Sequence, residues 1–197
     1  MKLSDAKKDH YRKLAKQKGY RSRSAYKLTQ LNNSYHIFNR GDKVIDFGCA
    51  PGGWLQIAGK IVGMRGTVIG IDIKQVEPIE NTIILQDDIE NQLIVKRILK
   101  VLGGKADVVL SDLSPNVSGI WDIDHIRQIS LSKSALNLSR DLLKKGGSAV
   151  FKVFEGNYLN DFKNELKIYF HKIFLNKPDA SRQSSSEFYF VCLNFKS

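Results

Sequence analysis

Cysteine is nearly absent from this chain: Cys49 and Cys192 are the only two in 197 residues. They lie far apart with no metal-ligand spacing, which excludes a disulfide-stapled fold and a zinc module; both are expected as reduced thiols in a cytoplasmic protein, with no metal. No apolar run approaches the ~18 residues that a membrane span needs. The opening residues, Met1-Lys2-Leu3-Ser4-Asp5, carry charge without the apolar stretch of a signal peptide, so no membrane partner is expected. Proline is scarce, at four residues, so a proline inside a glycine-rich turn stands out. Acid is also in deficit, with 20 Asp and Glu against 31 Lys and Arg, a net charge of +11. The remaining composition, 42% hydrophobic and 26% charged, is that of a globular protein long enough for one full core, and a single domain over 1–197 is expected.

The positive excess is concentrated. Residues 1–27 hold ten bases (Lys2, Lys7, Lys8, Arg12, Lys13, Lys16, Lys18, Arg21, Arg23, Lys27) and two acids, a net +8 of the +11. Such asymmetry beside a compact domain points to a polyanion, with RNA or DNA the first candidate. Tyr11, Tyr20 and Tyr26 are interleaved with the charge and are expected to offer stacking surfaces. The expectation is a basic nucleic-acid-binding segment over 1–27 and an α/β core over 43–197.

That core opens with Val44-Ile45-Asp46-Phe47-Gly48-Cys49-Ala50-Pro51-Gly52-Gly53-Trp54. An apolar run, a glycine-rich turn and a helical apolar pattern form the first half of a nucleotide-binding βαβ unit. The spacing differs from the Gly-x-Gly-x-x-Gly of dinucleotide sites. Pro51 stiffens the loop, while Gly48, Gly52 and Gly53 leave room for close backbone approach. Asp46 would place negative charge against the ligand, which suits the sulfonium and ammonium of S-adenosylmethionine better than a pyrophosphate. A second β-rich run ends at Asp72, placed to accept from a ribose diol. A third leads into Asp87 and Asp88, where one carboxylate would meet an adenine amino group; Asp88 reads equally as a helix N-cap.

Strands are expected near 43–47, 67–73, 82–86, 106–111, 147–153, 171–176 and 187–195. Helices are expected near 54–63, 90–102, 123–145 and 157–169, after a basic N-terminal helix and a short one from Ser24 to Asn33. Lys144-Lys145-Gly146-Gly147 reads as a helix stop. This alternation specifies an α/β, Rossmann-like, doubly wound sheet of seven mostly parallel strands, with an antiparallel hairpin at one edge.

Ligands meet such sheets outside the carboxyl ends of the strands. The fourth strand ends there at Asp112, and the fifth carries Lys152 between Phe151 and Val153. Lysine in a buried-strand pattern demands a partner, and Asp112 is the obvious one. Asp112 in Ser-Asp-Leu-Ser-Pro-Asn, Lys152 in Phe-Lys-Val-Phe-Glu-Gly, Glu187 in Ser-Ser-Ser-Glu-Phe and Lys27 in Arg-Ser-Arg-Ser-Ala-Tyr-Lys-Leu, together with Ala-Pro-Gly-Gly-Trp, resemble the Lys-Asp-Lys-Glu tetrad and cofactor loop of the FtsJ/RrmJ-type (RlmE) ribose 2'-O-methyltransferases. The resemblance runs from about Tyr20 to the C-terminus. It implies the methyltransferase fold, with S-adenosylmethionine as cofactor held by Gly52, Trp54, Asp72, Asp88 and Asp112. It also implies Lys152 as catalytic base, assisted by Lys27 and Glu187. Lysine at its reference pKa of ~10.4 is protonated at neutral pH; a charged Lys152 would instead orient the hydroxyl and stabilise the alkoxide. Cys49 stands where many members have Ala.

The implied reaction is methyl transfer to a ribose 2'-OH of RNA. Gly-Gly-Trp, rather than Gly-Ser-Trp, favours a uridine of 23S ribosomal RNA in the large subunit over transfer RNA, the alternative substrate. The expected partner is that RNA, free or in the assembled subunit, with no obligate protein partner. Pro51, and the lack of a recognisable hydride site, disfavour an NAD-dependent oxidoreductase. A complete tetrad disfavours a non-catalytic RNA-binding protein.

Overall fold

The computed structural model describes residues 3–182 and 184–196, with side chains from His10 onward. Two helices, α1 (Leu3–Gln17) and α2 (Ser24–Tyr35), precede the core. The core then alternates β1 (Lys43–Phe47), α3 (Gly53–Val62), β2 (Thr67–Asp72), β3 (Thr82–Gln86), α4 (Ile94–Leu102), β4 (Ala106–Ser111), α5 (Trp121–Leu142), β5 (Leu143–Phe154), α6 (Leu159–Tyr169), β6 (Phe170–Asn176) and β7 (Glu187–Phe195). The seven strands lie in the order β3-β2-β1-β4-β5-β7-β6. Only β7 runs against its neighbours, pairing antiparallel with both β5 and β6. The order reverses at β1, so the crevice between the ends of β1 and β4 is the topological switch point where ligands bind in such sheets.

The central strands are apolar on both faces because both faces are covered. One face packs on α2 and α3 through Leu28, Leu31, Trp54, Leu55 and Val62. The other packs on α4, α5 and α6 through Ile94, Ile98, Leu136, Phe162 and Leu166. The alternation along β5 decides where its lysine goes: Phe151 and Val153 enter the second face, so Lys152 points to the first, toward α2.

Two expectations are corrected. Lys144-Lys145-Gly146-Gly147 does not stop a helix. α5 ends at Leu142, and these residues form the irregular start of β5, where the pairing shifts register between Ala106 and Val108. Gly146 takes a φ of 79° there, and Lys144 reaches Asp107 in an ion pair. The basic tyrosines are not open stacking surfaces either. Tyr26 lies against Tyr11 (5.5 Å between ring centroids) and Tyr20 (5.6 Å), and the Tyr11 hydroxyl accepts from Gln30 Nε2 at 3.0 Å. Among the described side chains of α1, Ala15 is buried and Leu14 half-buried, and these rings add the larger area where the helix meets α2.

No helix among the described residues is long and apolar enough to cross a membrane. The basic segment over 1–27 ends inside α2, whose Ala25, Leu28 and Leu31 are core residues.

Candidate active site

The carboxyl ends of β1, β2 and β4 enclose a cleft of about 360 Å³, within the usual range for a small-ligand pocket. Asp72, Asp87, Asp88, Glu90 and Asp112 line it, against a single cation, Lys74. A pyrophosphate would meet like charge here, whereas a sulfonium and an ammonium meet opposite charge.

The loop at the floor is shaped by its own packing. Gly48 has φ 74°, and a Cβ there would stand 2.9 Å from the Leu113 backbone. Asp72 Oδ2 accepts from Ala50 N at 2.8 Å, and its Oδ1 accepts from Lys74 N at 2.9 Å, so this acid braces the loop from the next strand. The sequence pattern assigns Gly52 and Gly53 to making room for ligand. Neither lines the cleft; added side chains would strike Ile79 and Ser22 instead. Arg21 completes that outer cover, donating to Glu77 O (2.7 Å), Pro78 O (2.8 Å) and Pro51 O (3.3 Å). Trp54 is buried behind the loop, its Nε1 donating to Ser24 O at 2.9 Å. Cys49 is a packing residue: burial pushes its thiol far up, and its Sγ occupies the space left by the missing side chain of Gly70.

Asp87 and Asp88 separate clearly. Asp87 Oδ1 accepts from Asp88 N and Asn91 Nδ2 (both 2.9 Å), and Arg97 pairs with Oδ2. The Asn91 amide and Arg97 together hold the Asp87 carboxyl below its ordinary range. Asp88 uses only Oδ1, accepting from Glu90 N at 2.9 Å. Asp88 therefore has the uncommitted oxygen.

Asp46, expected to present negative charge, does not. It is wholly buried under the cleft, and neither of its oxygens has a hydrogen-bond partner. Burial first, then Asp112 and Asp72, push its carboxyl well above the usual range, which favours its neutral form. The native state thus keeps a proton that the unfolded chain loses above about pH 4, and stability falls as pH rises from there to the native pKa. Asp46→Asn, which mimics the neutral acid, is expected to gain in melting temperature relative to the parent as pH rises through this window. A difference independent of pH would show that Asp46 is ionised in the fold.

Beside the cleft, all four tetrad residues converge. Lys152 Nζ donates to Asp112 O at 2.7 Å and lies 3.3 Å from Asp112 Oδ1. Lys27 Nζ lies 2.6 Å from Glu187 Oε2. Both lysines are almost fully buried, at 5% and 4% exposure for Lys27 and Lys152. Burial alone pushes the Glu187 carboxyl up, but the charge and hydrogen bond of Lys27, aided by Lys152, bring it below its ordinary value.

Sequence reasoning missed the residue that joins these pairs. Tyr189 stands opposite Lys152 in the β5–β7 register. Its hydroxyl accepts from Lys27 Nζ at 3.1 Å and donates to Asp112 Oδ1 at 3.2 Å. Burial, then Asp112 and Glu187, push this phenol far up, so it stays protonated and can donate. A second missed residue is Gln128 on α5, whose Nε2 donates to both Leu113 O (3.1 Å) and Lys152 O (3.0 Å). Ser132 Oγ also donates to Lys152 O, at 2.8 Å. These bonds set the spacing of the Asp112 and Lys152 strand ends from behind. A β-strand alternation containing tyrosine gives no signal of such a bridge.

Comparison with known proteins agrees with this geometry. The family model "FtsJ-like methyltransferase" matches residues 20–195. The ribosomal RNA large subunit methyltransferase E of Nitrosopumilus maritimus is 50% identical over 195 residues, 99% of each chain. That of Cenarchaeum symbiosum is 47% identical over 196 residues and the full length of both. A crystal structure from Plasmodium falciparum, titled as a ribosomal RNA methyltransferase to which that name is provisionally given, superposes with a TM-score of 0.80 at 31% identity, covering 89% of this chain and 98% of that one. With a matching family model over nearly its whole length, and the Asp112–Lys152 and Lys27–Glu187 pairs at the switch point of the sheet, this chain belongs to the FtsJ-like methyltransferases.

Proposed function

We propose that this protein transfers the methyl group of S-adenosylmethionine to a ribose 2'-OH of RNA, a uridine of large-subunit ribosomal RNA in the cytoplasm. The observation that carries the reading is the adjacency of two sites sharing Asp112: an acid-lined cleft suited to a cationic ligand, and a buried lysine pair suited to a hydroxyl. The cofactor supplies an electrophilic methyl on a positively charged sulfur. Asp72 would accept from the ribose diol, Asp88 from the adenine amino group, and Asp112 would face the ammonium. Although neither Gly53 nor Trp54 lines the cleft, the first turn of α3 has no side-chain cap, and its backbone amides would suit a carboxylate reaching past the Ala50 loop.

Lys152, held by Asp112 and clamped from behind by Gln128 and Ser132, would meet the 2'-OH, and as the neutral amine, its own extra proton first released to solvent, would receive the hydroxyl proton. Lys27 would carry positive charge against the developing alkoxide, with Glu187 and Tyr189 fixing its position. Much of the rate would come from holding oxygen, methyl and sulfur in line. Tritium transfer from labelled cofactor to total RNA of a strain lacking this protein tests the reading. Label is expected on a ribose 2'-oxygen of large-subunit RNA; label on a base, or none, would overturn it.

The RNA backbone would follow a groove between α1 and Arg182, lined by Arg12, Lys16, Arg23 and Arg182 with no acid. Burial first, then neighbouring Arg182, lower the pKa of the Arg23 guanidinium against the pull of Glu187, which marks a crowded cationic site that an anion would relieve. Lys7 and Lys8, two further bases of the segment, lie outside the described side chains. Alanine at Arg12, Lys16 and Arg182 is expected to flatten the salt dependence of RNA binding by up to ~0.7 in log–log slope for each phosphate no longer neutralised, with cofactor affinity unchanged. An unaltered slope would make the groove an ordinary solvated surface.

A further inference from the structure

With α1's tyrosines committed to packing, the aromatic surface exposed near the tetrad lies elsewhere. Trp121, the first residue of α5, is 48% exposed, and Tyr158, before α6, is 47% exposed. Val117 and Ile120 flank Trp121 at 67% and 58% exposure. The two rings stand at the starts of separate helices, and α5 anchors both. Asp124 accepts from Ser118 N (2.7 Å), Ser118 Oγ (2.8 Å) and Gly119 N (3.0 Å), which fixes the turn before Trp121. His125 accepts from Tyr158 N at 3.1 Å and stacks on its ring, with centroids 5.8 Å apart and planes 15° off parallel. Gly156 is required for this fit, since a Cβ there would stand 2.7 Å from the imidazole. Trp121 itself stacks on Phe154, 21° from parallel. Phe154 is two residues beyond Lys152 and pairs with Glu187 across the sheet.

We infer that Trp121 and Tyr158 form a base-stacking ledge for the nucleotides beside the methylated ribose. The inference rests on the RNA reading above and extends it to a surface that the tetrad does not include. Two features favour RNA bases as the occupant. The ledge is continuous with the tetrad through Phe154, so a strand presenting a 2'-OH to Lys152 has its neighbouring nucleotides beside these rings. Residues 117–126 and 154–160 also contain no Lys or Arg, yet include Asp122, Asp124 and Glu155, in a chain of net charge +11; the adjoining cation, Arg127, is turned back onto Asn116 O. Phosphates gain little against these acids, whereas uncharged bases gain stacking area. The phosphate-binding groove and the base-binding ledge thus divide the two chemistries of a single strand. Because both helix starts are anchored, the rings are presented with little ordering cost on binding.

The test compares binding of a single-stranded RNA of about 12 nucleotides with binding of an abasic ribose-phosphate chain of equal length. The parent is expected to prefer the base-bearing chain. Trp121→Ala should reduce that preference by roughly 5- to 150-fold, the value of one stacked base, with affinity for the abasic chain and for S-adenosylmethionine unchanged. Trp121→Phe should keep most of the preference. Trp121 is half exposed, so its loss does not open the core. An intact preference in Trp121→Ala would overturn the ledge and leave this face to a protein partner. A loss shared equally by the abasic chain would overturn it too, since it would show a phosphate effect. Failure of the methylation reading would appear separately, as absent methyl transfer by the parent protein, because this comparison reads binding alone.

Discussion

Lys152→Ala is expected to lower kcat by roughly 10²- to 10⁴-fold, the usual value of a positioned proton acceptor, with cofactor affinity little changed. The side chain lies in the middle of a buried strand, yet it points at the strand end that lines the ligand cleft, held to Asp112 by two contacts. A lysine serving only to close the sheet would behave differently: its loss would lower the melting temperature and leave turnover near normal in the folded fraction. Lys152→Arg is expected to be nearly as poor as alanine, since a guanidinium stays protonated and cannot accept the hydroxyl proton. The pH–rate profile makes the role specific. A rising limb present in the parent should vanish in Lys152→Ala. If that limb survives, another group takes the proton; if the folded variant retains parental kcat, Lys152 has no catalytic part.

Asp72→Ala should weaken S-adenosylmethionine binding by roughly 10²- to 10⁴-fold, because hydrogen bonds to a charged acceptor contribute about 1.5–3 kcal/mol each and a ribose diol offers two. The same carboxylate already braces Ala50 N and Lys74 N, so the binding loss combines a missing acceptor with a loosened loop. Asp72→Asn, which keeps one acceptor oxygen, should lose less. Calorimetric titration reads both, alongside RNA binding, which is expected to stay nearly intact. Unchanged cofactor affinity in Asp72→Ala would remove the residue from the site, and an equal loss of RNA affinity would show that it does not serve the cofactor alone.

Much of this molecule is legible locally. The bounds expected for β1, β3, β4 and β7 coincide with those observed, since each strand is a short apolar run between turn residues and needs no distant information. The junction of α5 and β5 is not legible in this way, because Lys144–Gly147 carries a strong helix-stop pattern, whereas pairing with β4 draws Leu143 into the sheet. The glycines are recognisable as positions without room for a side chain. What fills the room is not: Ile79 and Ser22 for Gly52 and Gly53, and the Leu113 backbone for Gly48, all far along the chain.

The sequence by itself determined the alternation of elements, the switch-point loop, the acids at the strand ends and the strand lysine Lys152, because each is a matter of residue type and short-range period; Lys27 and Glu187 stand out only through the family resemblance. Tertiary structure alone decided how they work together. Lys27 and Glu187 are 160 positions apart, and Lys27 and Tyr189 are 162 apart; only the antiparallel insertion of β7 beside β5 brings them together. It also buried Asp46, expected to set negative charge against the ligand, and so favours its neutral form, since ionisation depends on solvent access and neighbouring charge rather than on the residue's place in a motif.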